Sequence, residues 1–382
     1  MENLKKNFEK IFNCSPEHVF TCGGRFEILG NHTDHNHGLC LAATCSLSIS
    51  ACVSKNGSSI VRVYSKGFKQ SVVDLKNLNT VQEEKFNSAS LVRGIANYLV
   101  ERGYKIGGFD LYSESTIFPG AGVSSSAAFE LLIAEIFNQL FNEDNIEKMI
   151  LCKAGQYAEN IYFGKKSGLL DQIGVGFGNI VAIDFKNENP TVENVEFPFK
   201  DLHFVIVNTG GSHAKLSDLY SKIPQDMYNA AEKMGCKYLR ESSLEKLEKI
   251  KGELNESEYL RSLHFYNENK RVSKALSALK NKDEQQFLNM INESRISSTK
   301  YLKNMMVGDE YEGSPLQATD LAMKIMDGKG ATKINGGGFA GSIICVVPSI
   351  YLKSFIQNMK ERYGRDNIKE VFVRNNGPIK ID

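Results

Sequence analysis

Phe118-Pro119-Gly120-Ala121-Gly122-Val123-Ser124-Ser125-Ser126-Ala127-Ala128-Phe129-Glu130-Leu131 is the stretch whose reading decides the fold. Residues 109–117, just before it, are rich in β-favouring types and predict a strand. The pattern after it, through Phe141, is rich in Ala, Leu, Ile and Glu and predicts a helix. A Gly- and Ser-rich turn therefore opens onto a helix N-terminus. Such a turn aims backbone N–H groups at one anion, and the helix dipole favours negative charge there. Gly120 and Gly122 let the backbone approach closely. Ser124, Ser125 and Ser126 add hydroxyl donors and an oxygen for a hard cation. Two readings stand on these residues alone: a phosphate cradle, or serines that simply cap a helix.

The chain around this stretch has 382 residues, which predicts two domains. Composition shifts near 186–201, where Asn, Glu, Lys and Pro replace apolar runs, so the units are read as 1–195 and 196–382. Apolar residues at 42% and charged residues at 24% match a soluble globular protein. A formal net charge of +1 argues against a nucleic acid or an acidic membrane as partner. No apolar run approaches the ~20 residues of a membrane span, and the first residues lack a signal peptide's apolar core. The expected location is cytoplasmic. The eight cysteines show no Cys-x-x-Cys spacing and read as reduced, packed thiols.

Taken in order, residues 4–12 predict a helix with Leu4, Phe8, Ile11 and Phe12 on one face. An extended stretch begins at residues 19–25. Residues 24–38 then place Arg, Asp, Asn and three His in what reads as a short polar loop. A metal site of His32, Asp34, His35 and His37 lacks a completing Cys or distant Glu-rich motif. A sugar site fits the carboxylate, amide and imidazole groups, and a solvated turn fits the composition equally. Residues 39–65 read as a β-hairpin turning at Lys55-Asn56-Gly57. Helices are expected at 89–102 and 145–162, mostly helical pattern from 222 to 305, and a helix near 349–362. Strands are expected at 178–185, 202–208, 343–347 and 369–373, with a loop over 213–220.

Several motifs fail. No Gly-x-x-x-x-Gly-Lys-Ser/Thr is present. Gly336, Gly338 and Gly341 match Gly-x-Gly-x-x-Gly, but an apolar β run comes next where a dinucleotide fold needs a helix. Neither a protein-kinase His-Arg-Asp nor a hydrolase Gly-x-Ser-x-Gly occurs. Three other segments together resemble the GHMP kinase superfamily and, within it, the galactokinases. Gly24-Arg25-Phe26-Glu27-Ile28-Leu29-Gly30-Asn31-His32-Thr33-Asp34-His35-Asn36 is similar to Gly-Arg-Val-Asn-Leu-Ile-Gly-Glu-His-Thr-Asp-Tyr-Asn. Residues 119–127 resemble Pro-x-x-x-Gly-Leu-Ser-Ser-Ser-Ala, and 330–341 resemble Gly-Ala-Arg-x-Thr-Gly-Gly-Gly-Phe-Gly-Gly. Weaker matches at 156–171, 264–271 and 292–294 carry the resemblance nearly end to end.

The resemblance implies an α+β, two-domain GHMP kinase fold. Its N-terminal mixed β/α domain holds the phosphate loop, its C-terminal domain is α/β, and the active site lies between them. It implies ATP and Mg2+, and phosphorylation of D-galactose at the C1 hydroxyl by a monomer or weak homodimer. Asp171 matches the catalytic base and Arg25 the arginine beside it; an Arg within ~4–6 Å keeps such a carboxylate ionised. His32, Asp34, Gly168 and Tyr220 match sugar contacts, with Asn31 at the position that holds the C6 hydroxyl. Gly120, Gly122, Ser124, Ser125 and Ser126 match the phosphate loop, and Ser126 and Glu159 the metal contacts. Departures are Asn31 for a family Glu, Gly23 for a Pro, His35 for a Tyr, and 222–226 for an Arg-rich segment. The first leaves N-acetylgalactosamine or galacturonate as alternative sugars, and predicts that Asn31→Glu lowers the KM for galactose. A catalytically silent galactose sensor requires a damaged site, whereas Arg25, Asp171 and the Ser loop are all present.

Overall fold

The computed structural model describes residues 1–210 and 216–381. Twelve strands form among them: β1 (His18–Leu29), β2 (Leu39–Lys55), β3 (Ile60–Ser65), β4 (Ser71–Asp74), β5 (Phe109–Ser115), β6 (Ile180–Asp184), β7 (Thr191–Val195), β8 (Leu202–Asn208), β9 (Ala331–Asn335), β10 (Ser342–Pro348), β11 (Ile368–Val371) and β12 (Ile379–Lys380). The large sheet runs β12-β1-β2-β5-β3-β4, with β6 on the first part of β2 and β7 beyond it. The small sheet runs β11-β8-β10-β9.

The helices are α1 (Glu2–Phe12), α2 (Ser88–Val100), α3 (Ser125–Phe141), α4 (Lys148–Tyr157), α5 (Leu170–Gly176), α6 (Ser217–Lys233), α7 (Leu244–Lys249), α8 (Glu256–Asn281), α9 (Glu284–Ser297), α10 (Pro315–Ile325) and α11 (Ser349–Tyr363). Local chemistry explains their ends. Asn87 caps α2 by accepting from the Ala89 N–H. Asn255 and Glu258 form a reciprocal capping box at the start of α8, the longest helix. Ser314 caps α10 with Pro315 just inside it. Packing then gathers the apolar faces. One core joins the large sheet to α2–α5 through Phe20, Ile95, Phe109, Leu132 and Phe137. Another joins the two sheets: Phe26 of β1 lies 4.8 Å, centroid to centroid, from Phe204 of β8, and Phe287 and Ile344 pack with them.

Three sequence expectations are corrected. Residues 39–65 are not a hairpin, because β5 enters between β2 and β3, antiparallel to the first and parallel to the second. Asp110 of β5 explains it: its carboxylate takes two hydrogen bonds from Arg62 of β3, both 2.6 Å, and one from Asn56 at 2.9 Å. The turn residue therefore binds an intervening strand instead of closing a ladder. Nor is 24–38 a loop throughout. Residues 24–29 continue β1, and the chain leaves the sheet only after Leu29. The register of β1 on β2 slips between Gly23 and Arg25 and again between Glu27 and Leu29. Such bulges re-aim side chains, and here they flank Arg25 and Glu27. Residues 217–220 are helical rather than loop, while His213 lies outside the described residues.

The segment after β1 is held by the second half of the chain. Glu268 of α8 accepts from the Gly30 N–H at 3.0 Å and from the Ser294 hydroxyl at 2.7 Å. It also pairs with Arg271 at 2.7 Å. His264 meets the Asn31 carbonyl at 2.9 Å, and the Tyr228 hydroxyl donates to the His35 carbonyl at 3.0 Å. Burial pushes the Glu268 carboxyl up, but Arg271, His264, Ser294 and the Gly30 amide outweigh it and hold its pKa at about 2. The ordinary value is about 4.3. A depressed folded-state pKa stabilises the fold above the ordinary value and is lost as pH falls towards the depressed one. Glu268→Gln is therefore expected to lower stability at pH 7 by about 3 kcal/mol. It should also flatten the loss of stability between about pH 5 and pH 2. Urea unfolding of both proteins at several pH values checks this; parallel pH curves would refute it.

Candidate active site

Arg25 is almost wholly buried on β1, and its guanidinium donates on both sides. Nε and Nη2 donate to Asp171 Oδ1 at 2.9 and 2.7 Å, and Nη1 donates to the Gly122 carbonyl at 2.8 Å. Asp171 sits in the first turn of α5, where a carboxylate is favoured by the helix dipole. Its second oxygen accepts from the Ser124 hydroxyl at 2.6 Å. Burial raises the Asp171 pKa, but Arg25, the Ser124 hydroxyl and Lys165 outweigh it and hold the carboxyl below its ordinary range. Asp171 is thus an anion at neutral pH.

The turn before α3 is built around that pair. Its carbonyls are tied to the rest of the protein. Pro119 accepts from Asn208 of β8, Ala121 from Ser342 of β10, and Gly122 from Asn335 of β9 as well as Arg25. Gly120 and Gly122 have φ of 78° and 67°, which a Cβ disfavours. Ser124 adopts φ 55° without that freedom. Its hydroxyl does not cap α3. Ser124 serves Asp171, and Ser126 donates to Glu159 Oε1 at 3.1 Å. The helix-capping reading of these serines is thereby disfavoured: two hydroxyls lead to acidic groups while first-turn amides of α3 stay available to an anion. Ser125 is exposed beside them.

Glu159 lies in a π-helical turn, Ala158–Phe163, that prolongs α4. Such turns often mark functional sites. The buried carboxylate also accepts from Lys165 at 2.8 Å, Ser167 at 2.5 Å and Gln172 at 3.3 Å. Gln172, next to Asp171, reaches on to Glu130 at 2.9 Å. Burial and the nearby Glu159 raise the Glu130 pKa far above the usual range, so Glu130 is a neutral acid. A hydroxyl and one carboxylate oxygen at Ser126 and Glu159 are hard donors of the kind Mg2+ takes. No group of three or more His, Cys, Asp or Glu placed for a metal occurs among the described residues.

On the other side of Arg25 lie the residues matched to sugar contacts. His32 has φ 57° and stands between His35 and Tyr220, at ring-centroid distances of 5.4 and 5.6 Å. Burial, reinforced by His35, lowers its pKa to about 3, so the ring is neutral. Since a carbonyl only accepts, His32 Nε2 carries the proton, donated to the Gly337 oxygen at 2.9 Å. Its Nδ1 is then a buried acceptor without a partner among the described residues. Burial raises the Asp34 pKa, but His35, 3.0 Å from its carboxylate, more than reverses this. The Asp34 carboxylate packs against Gly168, and the Tyr220 ring against Gly337, with no room for a Cβ at either glycine.

Asn31 is placed differently from its neighbours. Its amide is buried and engaged: Nδ2 donates to Glu27 Oε1 at 3.2 Å and to the Gly336 carbonyl at 2.7 Å, and Oδ1 accepts from Asn304 at 3.0 Å. Glu27 in turn pairs with Lys333 of β9 at 2.8 Å, both buried. Sequence reasoning did not single out Glu27, Asn304 or Lys333. For Glu27 the signal was present. Against Gly-Arg-Val-Asn-Leu-Ile-Gly-Glu, the chain reads Gly24-Arg25-Phe26-Glu27-Ile28-Leu29-Gly30-Asn31, so carboxylate and amide have exchanged places. A Glu introduced at 31 alone meets the Glu27 carboxylate, so the lower KM expected for Asn31→Glu does not follow from this geometry.

Residues 6–55 match the family model described as the galactokinase galactose-binding signature, and 90–179 match that of the GHMP kinases N terminal domain. A galactokinase of Fusobacterium nucleatum is 30% identical over 377 residues, covering 95% of this chain and 94% of the relative. One from Clostridium perfringens is 29% identical over 396 residues and covers both chains fully. The crystal structure of Lactococcus lactis galactokinase complexed with galactose superposes with a TM-score of 0.87 at 25% identity, covering 100% of this chain and 99% of that one. Methanococcus jannaschii mevalonate kinase shares the fold, at a TM-score of 0.67 and 15% identity over 94% of this chain and 99% of that one. Full-length likeness at this level, on a chain that brings Arg25, Asp171 and the serine turn into one site, places the protein in the galactokinase family of the GHMP kinases.

Proposed function

We propose that this chain transfers the γ-phosphoryl group of ATP to the C1 hydroxyl of D-galactose, giving galactose 1-phosphate and ADP. The observation that carries the reading is Asp171, an anion held by Arg25 and Ser124 between the serine turn and the His32–Asp34 segment. Asp171 aligns the C1 hydroxyl and receives its proton. Held below the ordinary carboxyl range, it is a weak base, which suits phosphoryl transfer through a loose transition state, where the proton leaves late. Arg25 keeps the carboxylate in one rotamer and offsets negative charge that develops nearby in a site with little water. Backbone amides of the turn formed by Gly120, Gly122, Ser124, Ser125 and Ser126, with the exposed Ser125 hydroxyl, cradle the phosphates. Ser126 and Glu159 would hold Mg2+, which neutralises phosphate oxygens when bound. His32 Nδ1, Asp34, Tyr220 and the close approach at Gly168 orient the sugar.

The division into units of 1–195 and 196–382 belongs to the same proposal. In its support β7 ends at Val195 and β8 opens the small sheet at Leu202, although β12 crosses back to β1. A cytoplasmic location, where ATP is abundant, follows from the activity. No helix among the described residues is long and apolar enough to cross a membrane.

ATP consumption measured with galactose, N-acetylgalactosamine, galacturonate and glucose tests the function; galactose should have the highest kcat/KM. Asp171→Asn keeps the shape, loses the charge, and should cut kcat by about 10²–10⁴. A folded variant with unchanged kcat would remove Asp171 from the mechanism. Ser126→Ala should raise the KM for Mg-ATP several-fold and leave that for sugar alone; the reverse pattern would move the phosphates elsewhere. Ser124→Gly accepts the positive φ but loses the hydroxyl, and should lower kcat by about tenfold. Ser124→Ala should lose the same activity and unfold more easily than Ser124→Gly by about 1 kcal/mol, because a Cβ strains the left-handed backbone. Equal thermal midpoints for the two variants would contradict that account.

A further inference from the structure

Glu159 divides its two oxygens between different kinds of partner. Oε2 accepts from the Ser167 hydroxyl at 2.5 Å and from the Gln172 amide at 3.3 Å, both neutral donors. Oε1 accepts from the Ser126 hydroxyl at 3.1 Å and from the Lys165 ammonium at 2.8 Å. The oxygen shared with the serine turn thus carries a cation supplied by the chain itself. The backbone puts it there. Gly164 closes the π-helical turn with φ 88°, and the amides of Gly164 and Lys165 both donate to the Glu159 carbonyl at 3.0 Å. This returns Lys165 over the residue six positions before it. The two side chains differ in exposure: Glu159 is 1% exposed and Lys165 is 55%. Glu159 is therefore fixed, and leaving it without a counter-charge is costly. Lys165 reaches in from solvent, and so exposed an ammonium gives up a contact at little cost.

We propose that Lys165 makes the site select the metal–triphosphate complex over the free metal: its ammonium holds Glu159 Oε1 against a divalent cation that arrives alone, and passes to the phosphates when cation and triphosphate arrive together. The inference rests on the proposed use of Mg-ATP at the serine turn and deepens it. A divalent cation arriving alone at Ser126 and Glu159 has to share one oxygen with an ammonium, and like charges at that range repel. A triphosphate reverses the balance. Its oxygens neutralise the cation with negative charge left over, and they offer the displaced ammonium an anionic partner. Lys165 Nζ is placed for the transfer, two hydrogen bonds from Ser126 Oγ in the first turn of α3, where the phosphates are proposed to lie. Lysine suits the role because its point charge sits on a flexible stem and turns readily from one anion to another. Lys165 acts on binding and takes no part in the bond changes at phosphorus, which makes it a specificity-determining residue.

The test compares two affinities in the wild type and in Lys165→Met, which keeps an unbranched side chain and removes the charge. One is for free Mn2+, a spectroscopic stand-in for Mg2+ that also takes oxygen ligands, followed by electron paramagnetic resonance without nucleotide. The other is for a non-hydrolysable ATP analogue with Mg2+, measured by calorimetry. Lys165→Met should bind free Mn2+ about 10-fold to 100-fold more tightly, the range of a hydrogen bond to a charged group. It should bind the Mg2+–analogue complex about tenfold more weakly. A lysine that only supported the fold would weaken both. Adding Glu159→Gln to Lys165→Met should abolish the Mn2+ gain; a gain that survives lies at another site and overturns the inference. Equal Mn2+ affinities in wild type and Lys165→Met overturn it as well, and so does a loss in both measurements. If Lys165→Met fails to fold, Lys165→Gln is read in the same way. Neither measurement involves sugar. Opposite shifts in a protein that does not turn over galactose uphold the inference and sink the galactose reading, whereas a galactose-phosphorylating protein without those shifts overturns the inference alone.

Discussion

Arg25 carries a full charge into a place with almost no water, and the site is arranged so that this charge is never unpaired. One edge of its guanidinium faces Asp171 and another nitrogen holds the Gly122 carbonyl. A buried cation left without partners costs several kcal/mol, so the three elements it joins are bound to one geometry. Those elements are the bulged strand β1, the serine turn and the start of α5. The arrangement puts the carboxylate at a defined distance from a turn that can take phosphates. It also explains why Ser124 tolerates a left-handed backbone: the hydroxyl gains an anionic acceptor that offsets the strain.

A second set of buried charges performs the same service for the sugar segment. Glu268 with Arg271, both on α8, and Glu27 of β1 with Lys333 of β9 lie in the interior. Each carboxylate also receives N–H donors from residues 27–31 or their side chains. Removing either partner leaves an uncompensated charge, whereas exchanging a carboxylate and an amide between neighbouring positions conserves the count. That is how a segment with a changed residue at 31 retains its architecture.

The serine turn shows the complementary arrangement of neutral groups. Its carbonyls are occupied by Asn208, Ser342, Asn335 and Arg25, drawn from three strands of the small sheet and one of the large. With the oxygens drawn to one side, first-turn amides of α3 are left without a side-chain cap from Ser124. Glu130, fully buried, supports Gln172 and through it Glu159, so that carboxylate is fixed from behind.

Much was determined by sequence alone. The run from Phe109 to Phe141 specified strand, loop and helix, because β-favouring and apolar periodic patterns flank a turn in which Gly and Ser act locally, through allowed backbone angles and short side-chain hydrogen bonds. Family likeness singled out Arg25 and Ser126 in two strongly matching segments, and Asp171 and Glu159 in the weaker match at 156–171, as expected site positions. Tertiary structure decided what local rules do not contain. Strand order is one instance: β5 separates β2 from β3 because Asp110 pairs with Arg62, a contact between residues 48 apart. Another is the direction of each hydroxyl, since Ser124 turns from its own helix to a carboxylate brought by α5. The third is the meaning of Asn31. In sequence it is an amide able to donate and accept; in the fold its hydrogens are taken by Glu27 and Gly336, and what it presents depends on residues 4 and 305 positions away. Hydrogen-bond capacity belongs to the side chain, but which part of it is left over is settled only by packing.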